Sequence, residues 1–257
     1  MLSAQRDKLI IVIALVLVSL LAWVITVQQS HGMGLGLITM SMTMGQPFTP
    51  ASAALYVALW GVMMVAMMFP ALAPMAALFS TVSRQQPQER QPFAAAWIFV
   101  AGYAVLWTLT GSAAYAGDMA IQTLPEFFPV LNARGMTIGG ATLIAAGLYQ
   151  MTPLKDLCLS KCRSPLGFLL NHWQDGHWGA FRMGLHHGAY CLGCCWSLMA
   201  VLFVVGTMNL IWMAVLSVVI FLEKVLRHGP IVGKLVGLSL MALGLVLIVT
   251  PESLTGL

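Results

Sequence analysis

Leu9 to Val27 reads LIIVIALVLVSLLAWVITV, an apolar run without a single charged residue. At about 1.5 Å of rise per residue, a helix of this length matches the roughly 30 Å hydrocarbon core of a bilayer. The run shows no period-2 alternation, so it reads as helix rather than barrel strand. The preceding MLSAQRDK has the basic character of a signal peptide. However, the apolar stretch is bilayer-length and no small-residue cleavage site follows it, so it reads as a retained first span.

The rest of the chain repeats the pattern. Of 257 residues, 60% are hydrophobic and 8% charged, against about 25% charged in soluble domains. Seven spans are expected, at about 9–27, 53–79, 93–116, 132–151, 183–205, 210–226 and 232–250. The expected fold is therefore all-α: a polytopic transmembrane helical bundle forming one integral membrane domain over residues 1–257. Pro70 and Pro74 predict a kink in the second span. The few residues around Gly206-Thr207-Met208-Asn209 predict a tight helical hairpin between the fifth and sixth.

Charge sets the orientation. With the N-terminus in the cytoplasm, eleven of the twelve Lys and Arg residues fall inside, and only Arg134 falls outside. That bias is the positive-inside pattern. The net charge of +4 is explained by topology and implies no nucleic-acid partner; the lipid bilayer is the partner the composition requires.

Within the fifth span, Gly184 to Met199 reads GLHHGAYCLGCCWSLM. Metal-seeking side chains are costly in hydrocarbon and rarely lie there without a function. His187, Cys191, Cys194 and Cys195 fall at i, i+4, i+7 and i+8, one face of a helix. His186 points about 100° away and suits a second site or an outer-shell partner. Thiolates with imidazole suit Cu(I) first, with zinc or iron as alternatives. Adjacent Cys194 and Cys195 pair poorly as a disulfide, so ligation or redox chemistry is the expected use of the cysteines.

Three further groups are candidates. Met63, Met64, Met67 and Met68 in the second span form two i, i+4 thioether pairs at the depth expected for Cys194 and Cys195; they are equally suited to core packing. Cys158 and Cys162 form a C-x3-C pair in the expected inner loop from Thr152 to Phe181, where Lys155, Lys161 and Arg163 would favour thiolate. Glu223 ends the sixth span, where the hairpin would bring it beside His186 and His187 as a ligand or proton acceptor. His172 and His177 read as ordinary interfacial residues. In the outer loop, His31, Met33, Met40, Met42 and Met44 offer further soft ligands.

Trp60–Met75 (WGVMMVAMMFPALAPM), Pro153–Phe168 (PLKDLCLSKCRSPLGF), Gly184–Met199, Gly206–Met213 (GTMNLIWM) and Glu223-Lys224 together resemble a bacterial family of predicted metal-binding integral membrane proteins of unassigned function. The resemblance runs from the second span to the sixth. It implies a multi-span protein of the bacterial cytoplasmic membrane that holds metal, and it supplies neither metal identity nor ligands.

Two functions from different classes follow. The first is Cu(I) handling, as transport, delivery or assembly, with a copper chaperone or copper-dependent membrane protein as partner. The second is a membrane metalloenzyme with a Cys/His-ligated centre, which would need an open coordination position. Thiol–disulfide exchange is a third, made awkward by placing both thiols on one continuous helix. No phosphate-binding loop supports ATP-driven pumping.

Overall fold

The computed structural model describes residues 2–30, 49–86, 91–127, 135–207 and 209–250. His31, Met33, Met40, Met42, Met44 and Met208 lie outside these residues. Nine α-helices and no strand are found among the described residues: α1 Leu2–Ser30, α2 Pro50–Ser83, α3 Pro92–Phe127, α4 Gly135–Gln150, α5 Pro153–Arg163, α6 Pro165–His172, α7 Gly176–Val205, α8 Leu210–Val225 and α9 Gly229–Val249.

Each expected span corresponds to a helix. Five contain segments long and apolar enough to cross a membrane: Gln5–Gln29, Pro50–Ser83, Pro92–Thr123, Gly176–Val205 and Gly229–Val249. Helices α4 and α8 have 16 residues each, about 24 Å at 1.5 Å per residue, short of a full hydrocarbon core. The expected inner loop is corrected: most of it is helix. Proline at the first helical position, where its missing N–H costs nothing, starts both α5 and α6. Asp156 in the first turn of α5 and Lys161 and Arg163 in its last complement the helix dipole.

The chain forms two compact units. The first comprises Met1–Gln29, Val57–Ser112 and Leu157–Gly193; the second comprises Ser30–Tyr56, Ala113–Asp156 and Cys194–Leu257.

In the first unit, α1 and α2 run antiparallel. Asp7 pairs with Arg84, and further along Ser19 Oγ donates to the Ala66 carbonyl at 2.8 Å. The second contact answers a defect built into α2. Pro70 has no N–H for the carbonyl four residues earlier, which is Ala66, and the hydroxyl from α1 supplies the missing donor. Helix α2 thus continues with both prolines inside it. Helices α3 and α7 meet backbone to backbone. A Cβ on Gly102 would strike the Phe181 carbonyl oxygen, and one on Gly184 the Phe99 carbonyl oxygen.

In the second unit, α9 packs along α4 through a similar device. Cβ atoms on Gly140 and Gly147 would meet the Gly244 and Gly237 carbonyls at 2.6 and 2.5 Å. Between α7 and α8, Gly206 takes φ +100°, a conformation that favours glycine. Asn209 then caps α8, its Oδ1 accepting from the Trp212 N–H at 3.2 Å.

Candidate metal centre

Helix α7 carries the cysteine stripe without a break. Its rise and pitch bring residues three and four apart onto one face. The sulfurs of Cys191, Cys194 and Cys195 accordingly all lie within 4.8 Å of one another, and all three residues are buried. All five cysteines are thiols, with no disulfide. Three sulfurs around one ion, with metal–sulfur bonds of about 2.3 Å, sit roughly 4 Å apart, so the arrangement fits a three-thiolate centre. It is the one such group of three or more His, Cys, Asp or Glu residues among the described residues, and His186, His187, Cys158, Cys162 and Glu223 are outside it.

Cys191 has a partner that sequence reasoning missed. Tyr103 Oη lies 2.9 Å from its Sγ. A thiolate can only accept, so a metal-bearing Cys191 takes its hydrogen bond from the phenol. The Gly102–Gly184 contact makes this pair reachable, because it presses α3 against α7 one residue before Tyr103. No local pattern could have announced it, since the two residues are 88 positions apart.

His187 is buried, its ring 5.9 Å from those of Phe99 and Tyr103 and 5.2 Å from that of Phe168. His186, one position earlier, is exposed. Met63, Met64, Met67 and Met68 are fully buried on α2 in the first unit. Cys158 and Cys162, one helical turn apart on α5, are half-buried. A Cβ on Gly193 would come within 2.6 Å of Cys158 Sγ, so the glycine inside CLGCC leaves the space that this sulfur fills.

Glu223 is buried, and both its oxygens accept from Lys155 Nζ at 2.8 Å. Lys155 also donates to Gln150 Oε1. This corrects the expected role of Lys155, whose charge is committed to Glu223 rather than offered to the α5 thiols. Gly233 leaves room for the pair, since a Cβ there would lie 3.0 Å from Lys155 Nζ and 3.1 Å from Glu223 Oε1.

A family model described as PpoB2, copper chaperone, matches residues 57–247. The chain belongs to this copper chaperone family. The match takes in α3 to α8 and most of α2 and α9, and with them the cysteine triad, Met63, Met64, Met67, Met68, Cys158, Cys162, His186, His187 and Glu223; His31, Met33, Met40, Met42 and Met44 precede it. It replaces the unassigned function implied by the sequence resemblance with a copper-related one. No curated protein and no solved structure matches the chain.

Proposed function

We propose that the protein is an integral membrane copper chaperone that holds Cu(I) on Cys191, Cys194 and Cys195 and passes it to a copper-dependent partner. The carrying observation is the buried trio of sulfurs within 4.8 Å on one helix. Copper is the cargo here, and Cu(I) is the oxidation state that favours thiolates in low coordination number. Membership of the copper chaperone family supports copper over zinc or iron.

Five bilayer-length apolar helices support integration in the cytoplasmic membrane. Helices α4 and α8 complete seven crossings by tilting little or thinning the bilayer locally. The Asp7–Arg84 pair joins two segments that the positive-inside pattern assigns to the cytoplasm. The Met63, Met64, Met67 and Met68 thioethers and the Cys158–Cys162 pair serve as weaker soft ligands on the way to or from the triad. His187 lies one turn from Cys191 and, with Tyr103, shapes its surroundings.

The test is elemental analysis of detergent-purified protein loaded anaerobically with copper. Loss of one sulfur-ligated copper equivalent, identified by X-ray absorption, on Cys191→Ser with Cys194→Ser supports the reading. Unchanged copper in that double variant refutes it.

A further inference from the structure

A second cluster of imidazoles lies in the first unit, apart from the cysteine triad. His172 closes α6 and His186 lies on α7, with ring centroids 6.3 Å apart and planes at 73°. Two imidazoles on one ion, with metal–nitrogen bonds of about 2.0 Å, place their centroids roughly 5–6.5 Å apart between tetrahedral and linear geometry. The observed separation is at the linear end, the two-coordinate arrangement open to Cu(I).

The His172 ring is already oriented for this. It stacks on Phe168, centroids 4.9 Å apart and planes at 12°, and its Nδ1 lies 3.1 Å from the Phe168 carbonyl oxygen. A carbonyl only accepts, so Nδ1 carries the proton and Nε2 keeps the lone pair. Fixing a ligand imidazole through its other nitrogen is the usual outer-shell arrangement in metal sites. Tyr190, one turn beyond His186, brings its ring to 6.0 Å from His172. His186 is exposed and His172 half-buried, so this pair is accessible where the triad is not. The phenyl ring of Phe168 that stacks on His172 also meets buried His187 edge-on at 5.2 Å.

We infer that His172 and His186 form an accessible bis-imidazole copper site, where Cu(I) is captured before it moves to the thiolates. The inference rests on the copper-handling reading above. Imidazole is the weaker and more exchangeable ligand for Cu(I), so capture on nitrogen and retention on sulfur gives transfer a downhill direction.

The experiment uses the full-length chain in detergent, with all five cysteines replaced by serine, and copper(I) supplied anaerobically as its acetonitrile complex. Copper content and X-ray absorption are the readouts. One nitrogen-ligated copper per chain is expected, scored apart from any thioether-bound copper by its X-ray absorption. His186→Gln should weaken it at least about tenfold, the loss seen even for outer-shell partners, and His172→Phe should do the same while keeping the stack on Phe168. No nitrogen-ligated copper in a variant whose circular dichroism matches the parent, or copper indifferent to both histidine changes, overturns the site. If the serine variant does not fold, His186→Gln in the otherwise unaltered chain decides: loss of one copper equivalent supports the site, and an unchanged total overturns it. The triad is scored separately. Sulfur-ligated copper must persist in His172→Phe/His186→Gln with all cysteines present, and its absence there refutes the chaperone reading rather than the capture site.

Discussion

Replacing Lys155 by Met strands a carboxylate, and replacing Glu223 by Leu strands an ammonium, each in a place that water does not reach. Both side chains are almost wholly buried, at 1% and 2% relative exposure, and both Glu223 oxygens accept from Lys155 Nζ at 2.8 Å. Breaking a buried pair by removing one partner costs about 3–5 kcal/mol, mostly because the survivor is left uncompensated. The double variant Lys155→Met/Glu223→Leu removes both charges together. What it leaves is the Gln150 carbonyl that Lys155 had served, an orphan worth about 1–3 kcal/mol. Two single losses sum to at least about 6 kcal/mol and the double loses at most about 3, so the coupling is at least about 3 kcal/mol. The assay is denaturant unfolding of the full-length protein in detergent micelles, followed by circular dichroism across the four members of the cycle. Single-variant losses that add in the double to within about 0.5 kcal/mol, as for independent sites, would refute the reasoning.

Three other outcomes follow from contacts within the first unit. Ser19→Ala should destabilise by about 1–2 kcal/mol, near the upper end for hydrogen bonds between membrane helices; the same change in a Pro70→Ala background should be nearly neutral, because residue 70 then supplies its own N–H. Gly184→Ala should cost about 1–3 kcal/mol as an overpacked contact, since the carbonyl it meets is backbone and cannot turn aside; thermal unfolding indistinguishable from the parent would show that α3 and α7 stand further apart. Tyr103→Phe should lower Cu(I) affinity about tenfold, as for loss of an outer-shell partner, and should shift the copper–thiolate absorption; competition with a chromophoric chelator measures the first, and no change in either removes Tyr103 from the site.

The helical segments and the cysteine stripe were legible because both are local: bilayer-length apolar runs and i, i+3, i+4 spacing are read within one window of sequence. Helices α5 and α6 were hidden by their opening prolines, which read as loop punctuation although they suit a helix start. The links that tie Tyr103 to Cys191 and Lys155 to Glu223 join positions 88 and 68 residues apart, and no periodicity encodes such a pairing. Glu223 did stand out as a charge in an apolar setting, but its partner did not. His172 was set aside as an interfacial residue because the signal that marks it is contact with His186, which depends on how α6 folds back.

The triad lies on a single unbroken helix, which separates metal release from folding. Small zinc domains gather their ligands from distant chain segments, so losing the metal unfolds them. Here the backbone hydrogen bonds of α7 hold Cys191, Cys194 and Cys195 in register whether or not an ion is present. On the proposed chaperone reading, release of Cu(I) therefore costs the metal–sulfur bonds without unfolding, and the empty form is already shaped for the next ion.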